Sequence, residues 1–413
     1  KIRKILKRCT AAMLAAAIGM TTLAANVSAA TSGVSIGYTW NSSVNPTIKN
    51  RKNGVTGGVS GQYIKAGEQI CRFSPSSTSD WAFCIEPAKS MQGASYKDWY
   101  TQNGFTKYDT FDLSDKNKAD SFAYWKSIGG TDGPMAKYLG LVQYYGYSSH
   151  KTGDYYAATQ CLIWELILGY RGHTQAGFGK CSDILWNDFT YPSGGWCTRS
   201  GVEKAYNDIV SNVKDHYKLP SAMRSTKAQA KDEPNVMKYN AENLRYETKV
   251  TVPTSYVTAS SLAHNFSSLE SKLGSLIKSK FSGTFGKDYG LETEMSGTNT
   301  VYTIWSKERQ FTSSGDSSIY VTESIPMQMK NSLKKQETLF ANSYYQTCLL
   351  STRLDPVVGY VGLASYNEPN LTVEKTYTDS SNNQITAAEL NNLLGKTTFV
   401  VYACMTAKSI MFG

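Results

Sequence analysis

The stretch that most constrains the fold runs from Gly153 to Gly169, GDYYAATQCLIWELILG. It reads as one short helix. Asp154 offers a side-chain acceptor for the free N–H groups at its start, and Gly169 offers the left-handed residue that ends it. Gln160, Ile163, Trp164 and Ile167 recur at i, i+3, i+4 and i+7, so a glutamine shares the face that carries the core. Burying an amide without a partner costs on the order of 1–3 kcal/mol. Gln160 is therefore expected either to be a hydrogen-bonded core amide or to be used chemically.

A second short segment lies upstream, Trp81 to Pro87, WAFCIEP. Trp81, Phe83 and Ile85 alternate as in a strand that Pro87 ends, which puts Cys84 on the opposite face. Taken together, aromatic-Cys-Ile-Glu-Pro at 83–87 and Thr-Gln-x-x-Ile-Trp at 159–164 resemble the thioester (TQXA) domains of Gram-positive surface adhesins. The resemblance implies an α+β thioester domain with a helical portion, in which Cys84 and Gln160 are the two ends of an intramolecular thioester. It implies no external cofactor and no metal. The expected partner is a host surface or matrix protein, coupled once through a lysine amine, so the chain is read as a covalent binder and not as an enzyme. Phe83, Tyr155, Tyr156 and Trp164 are the expected shield of the bond. One departure stands two residues after the glutamine, where Leu162 replaces the family's alanine, a change in packing beside the bond.

The first eight residues carry five basic side chains, followed by an Ala/Leu/Met-rich run from Ala11 to Ala25 and small residues at Val27–Ala30. This is the pattern of a secretory signal peptide over residues 1–30, so the mature chain is expected to start near Ala30 or Thr31 and to be secreted to the cell surface or cell wall. The formal net charge of +10 falls to about +5 once those five basic residues are removed, and no nucleic-acid partner is expected. Eight cysteines become seven without Cys9, an odd number. At least one is then unpaired in an oxidising compartment, and a thioester would remove Cys84 from the pool. Cys181 and Cys197 flank a Gly/Trp-rich loop and are candidates for a disulfide.

Along the chain, Gly-rich sequence with short apolar runs gives way after Ala82 to helical patterns. One is capped by Ser114 and buries Phe122, Ala123 and Trp125. A second opens at Pro134 and stops at Gly146. A third carries Val202, Ala205, Tyr206, Ile209 and Val213 and closes before Pro220. Strands followed by helices place a thioester domain at 31–240. A polar segment, Ser225–Glu233, separates it from β-branched and aromatic runs that read as a β-sandwich-like domain at 245–368.

Residues 369–413 form a last segment. Leu371, Val373 and Lys375 share a strand face, and a core-facing lysine is costly unless used. Thr386 to Glu389 spells a capping box. This resembles the opening of a Cna-B-like stalk domain, in which the inward lysine forms an isopeptide bond to an asparagine on a late strand. Lys375 is the candidate isopeptide lysine. The sequence shows no sorting signal, so wall attachment is expected through a C-terminal anchor missing from it.

Two rival readings stay open. In a secreted cysteine-nucleophile hydrolase or transpeptidase, Cys84 would need a base from His150, His173, His216 or His264, none of which lies in a recognisable motif. In a noncovalent carbohydrate-binding surface protein, Cys84 would sit in a disulfide and the Tyr and Trp side chains would serve as sugar platforms.

Overall fold

The computed structural model describes residues 31–91, 97–109, 124–130, 133–258, 264, 266–310, 320–328, 337–351, 354, 357–366, 377–378, 381, 383–386 and 389. The export segment at 1–30, and Lys375 with most of the expected stalk domain, lie outside the described residues. Thr386 and Glu389 do make the capping box: each backbone N–H donates to the other's side-chain oxygen, at 2.7 and 3.2 Å.

The first core is built from helices on a curled antiparallel sheet. Its strands are β1 (Thr31–Trp40), β2 (Ser74–Pro75), β3 (Phe83–Cys84) and β4 (Lys97–Asp109). The helices are α1 (Pro134–Gln143), α2 (Gly153–Leu168) and α3 (Arg199–Asp215). Proline opens α1, and its continuation, a π-helical turn over Tyr144–Ser148, leaves helical geometry at Gly146 as the sequence predicts. Helix α3 buries Val202, Ala205, Tyr206, Ile209 and Val213, the five residues its periodicity selects.

Helix α2 spans the expected residues and ends at Gly169 with φ 81°, but two features differ from the expectation. Its cap is Thr152, whose side chain accepts from the Tyr155 N–H. Asp154 instead accepts from the Thr198 N–H at 2.8 Å, tying the starts of α2 and α3 together. The helix also has no solvent face, because every residue from Tyr156 to Leu168 is buried. Its polar side chains therefore need internal partners. Thr159 donates to the Tyr155 carbonyl and accepts from the Tyr147 N–H. Glu165, fully buried, accepts from Arg171 Nε at 2.8 Å, the Leu185 N–H at 3.0 Å and the Tyr206 hydroxyl at 2.8 Å. Burial pushes the Glu165 carboxyl up against the pull of Arg171 and these donors.

The expected boundary between two consecutive domains does not hold. After α3 the chain makes α4 (Lys227–Asp232) and the strands β5 (Asn235–Asn240) and β6 (Arg245–Pro253). Helix α5 (Leu269–Lys280), β7 (Tyr289–Ser296), β8 (Asn299–Ser306) and β9 (Tyr320–Gln328) follow. It then returns to the first sheet with β10 (Glu337–Ala341) and β11 (Cys348–Ser351), before β12 (Val358–Tyr366) rejoins the second. The first sheet has the order β2-β1-β4-β10-β11-β3, and a bridge between Phe73 and Ala82 brings its two edges together. The second has the order β7-β8-β6-β5-β12-β9, with β12 parallel to β5. Nor is this second unit a sandwich of two sheets. Among the described residues its core sets Leu269, Leu273 and Ile277 of α5 against Val250, Val252, Ile304, Val361 and Leu363 of the one sheet. The whole is an α+β fold.

At the end of α2 a methyl group on Gly169 would stand 2.3 Å from the Gly58 backbone nitrogen, in a residue already at positive φ. Gly169→Ala is expected to lower unfolding free energy by about 1–3 kcal/mol in urea titration. Gly67→Ala, at φ 82° with open space around it, should cost less, since it carries the strain without the clash.

Candidate functional site

Edge strand β3 pairs with β11 on one side only, so its other backbone edge needs a partner. Gln160 supplies it. The Cys84 N–H donates to Gln160 Oε1 and Gln160 Nε2 donates to the Cys84 carbonyl, both at 2.9 Å. Both residues are 0% exposed. The side-chain amide thus occupies the place of a neighbouring strand, and the two motif residues, 76 positions apart, are brought together.

Aromatic rings close over this contact. Tyr156 stacks on Phe83 at 4.5 Å between centroids, and its hydroxyl donates to the Ala82 carbonyl at 2.7 Å. Trp164, one turn beyond Gln160, stacks against Phe189 at 6.1 Å. Leu162 is buried in the same core. Tyr155 does not join the shield: its ring stacks on His150 at 3.8 Å and its hydroxyl donates to Asp208 at 2.8 Å, towards α3. The reason is helical spacing, since residues five apart do not share a face.

Burial pushes the Cys84 thiol well above its ordinary value, with the Trp164 indole and the Glu86 backbone working the other way. The buried Trp164 N–H is directed at the sulfur across a longer contact than an ordinary hydrogen bond and has no other acceptor. The charges of Glu68 and Glu86 raise the thiol further. Glu86 accepts from the Thr347 hydroxyl at 2.8 Å and anchors the turn after β3.

Glu68 is the functional candidate that sequence reasoning misses. Glu68 is buried, and its Oε1 accepts from Gln346 Nε2 at 3.5 Å. Burial raises its pKa to about 7, against the influence of Lys65 and Gln346. Gln346 comes from the β10–β11 hairpin, which sequence assigns to another domain. No local signal could have found the pair.

The histidines lie elsewhere. His150 stacks on Tyr155, His216 pairs with the Tyr145 hydroxyl at 2.9 Å, and His264 stacks on Tyr256 at 4.4 Å. His173 lines a cleft of about 440 Å³ with Gly57, Gly58, Tyr124, Ile128 and Met135. Tyr124, on the wall of that cleft, donates its hydroxyl to the carbonyl of Ile85, next to Cys84. Cys84 is a free thiol, as are Cys181 and Cys197, so the expected pairing of the last two is not made. Among the described residues no group of three or more His, Cys, Asp or Glu is arranged to hold a metal ion.

No family model matches the sequence, and no curated protein matches it. Among solved structures it is similar to the thioester domain of the Staphylococcus aureus TIE protein. The identity is 13% and the TM-score 0.34, over 81% of this chain and 98% of that chain. A likeness of that degree decides nothing here, and the functional reading rests on the site itself.

The raised Glu68 pKa has a sign that can be checked. The folded state holds this proton from the ordinary carboxyl range up to about pH 7, so its contribution to stability is full below that window and lost as pH rises through it. Between about pH 5 and pH 8 the wild type should lose up to roughly 3 kcal/mol through this group, read as a falling urea midpoint. In Glu68→Gln that part of the slope should vanish.

Proposed function

We propose that the chain is a secreted surface adhesin whose Cys84 and Gln160 join in a self-formed thioester, spent once on an amine of a host surface molecule. The observation that carries this reading is the two-point pairing of the Gln160 carboxamide on the Cys84 backbone, inside a site closed to solvent. It holds the carboxamide carbon beside the residue that bears the sulfur, which is the proximity an intramolecular acyl transfer needs.

In the forming step the Cys84 thiol loses its proton and attacks Cδ of Gln160, and the C–N bond breaks. Charge gathers on Oε1, where the Cys84 N–H already donates and can serve as an oxyanion donor. The amide nitrogen leaves as ammonia, taking up the thiol's proton. Glu68, titrating near neutrality and close enough for its charge to act on Cys84, is suited to carry that proton. In the spending step an amine attacks the same carbon, the C–S bond breaks, and the Cys84 thiol is released as an ordinary amide forms. Phe83, Tyr156 and Trp164 keep water from the acyl carbon in the meantime. The cleft beside Tyr124 supports an approach for the amine once that ring moves.

The intact mass of the mature chain tests the reading. It should fall short of the sequence mass by one ammonia, and both Cys84→Ala and Gln160→Ala should restore the full mass for their sequences. Methylamine should add once per molecule at Gln160 and expose one new thiol, in equal amounts. A full wild-type mass with Cys84 open to alkylation after unfolding would sink the proposal and leave Gln160 as a structural cap on the strand edge.

Tyr124→Ala supplies a kinetic check. Opening the cleft should speed methylamine uptake about tenfold, the equivalent of about 1.4 kcal/mol off the barrier. An unchanged rate would place the amine's entry elsewhere.

A further inference from the structure

Strand β11 sets a second thiol against Cys84. In the antiparallel pairing of β3 with β11, Cys348 is directly opposite Cys84 and Leu349 directly opposite Phe83. The type of pair can be read from its hydrogen bonds. The ladder bond beside it runs from the Ile85 N–H to the Thr347 carbonyl at 3.0 Å. The N–H and C=O of Cys84 itself turn the other way, to Gln160. Cys84 and Cys348 are therefore a non-hydrogen-bonded pair, the closer of the two antiparallel types, with Cα atoms about 4.5 Å apart and side chains on one face. A disulfide spans Cα separations of about 4.4–6.8 Å, so the backbone of this pair lies within bridging distance, and both are free thiols in this structure. Both residues are 0% exposed.

We propose that Cys348 is the redox partner of Cys84: a small external disulfide oxidises the pair to a cross-strand disulfide whenever Cys84 is not acylated. One thiolate of the pair attacks the external disulfide, giving a mixed disulfide and one released thiol. The other thiolate then displaces the second thiol. Two protein thiols are oxidised, one external disulfide is reduced to two thiols, and the two protons leave with them. Because both sulfurs are buried in the finished fold, the exchange takes place before β11 seats on β3, or when that edge opens. Cys71 is the other buried thiol near Cys84, but it lies outside this ladder, with its sulfur 3.8 Å from Asn45 Nδ2.

The bridge itself rests on strand register. Its consequence for adhesion rests on the thioester reading: one sulfur has two exclusive fates, so the redox conditions of folding decide what fraction of molecules can couple to an amine.

The experiment is oxidative refolding. Wild type recovered unfolded and reduced from inclusion bodies, so that Gln160 still carries its amide, is refolded in oxidised glutathione, then alkylated after unfolding and mapped by mass spectrometry. The expected product lacks two hydrogens, retains its ammonia, and yields a Cys84 peptide joined to a Cys348 peptide that separates on reduction. Gln160→Ala, which has no acyl carbon, should give the same bridge in larger yield, and Cys348→Ser should give none. Full alkylation of both thiols, or a bridge from Cys84 to Cys71, overturns the proposal. The thioester reading has its own readout, ammonia loss by Cys348→Ser refolded under reducing conditions, so either can fail without the other.

Discussion

A helix with no face on solvent must find an internal partner for every polar group it carries, and the rest of the structure is arranged around how α2 does so. Thr159 ties it to the π-helical turn, Gln160 to the edge of the first sheet, and Glu165 to Arg171 and the loop that follows. Each of these bonds fixes a different neighbour, so the helix acts as a common reference for elements far apart in sequence. The Glu165–Arg171 pair is the most demanding, being 0% and 2% exposed at its side chains. Removing one member of such a pair typically costs about 3–5 kcal/mol, because the other is left charged and unpartnered.

The same burial governs the chemistry. A thiol pushed up by desolvation is a weak nucleophile at neutral pH, so Cys84 is quiet towards molecules in solution even where they can reach it. Its carboxamide neighbour, by contrast, is held in place on two backbone groups. The proposed acyl transfer therefore depends on proximity and on nearby dipoles, and little on an activated sulfur.

What the sequence discloses is what depends on short-range pattern. The limits of α2, the five buried positions of α3 and the two motifs around Cys84 and Gln160 are legible because caps, helical spacing and local residue identity determine them. Asp154 is the cap the sequence offers, but the Thr198 N–H that takes its side chain belongs to another helix, and Thr152 caps α2 instead. Tyr155 fails as a pocket residue for the geometric reason that adjacent helix positions diverge by about 100°. Gln346 and Cys348 are not legible, since they meet the Cys84 region only through the pairing of β11 with β3, and Glu68 is brought there by long-range packing that no local pattern marks. The sandwich expected for the second unit fails in the same way: β-branched runs identify strands, while the choice between a second sheet and helix α5 as cover is tertiary.

The return of residues 337–351 to the first sheet also sets an order of events in time. Strand β3 emerges early from a chain synthesised from its N-terminus, but the strand that flanks it lies some 264 positions later, opposite it in register. Until that hairpin has been made, β3 lacks its ladder partner, and Glu86 lacks the Thr347 it anchors to. Contacts of such long sequence separation form slowly. The chain therefore completes the surroundings of Cys84 near the end of its synthesis, and a truncation before Cys348 would leave both motifs intact in sequence with no finished site to hold them.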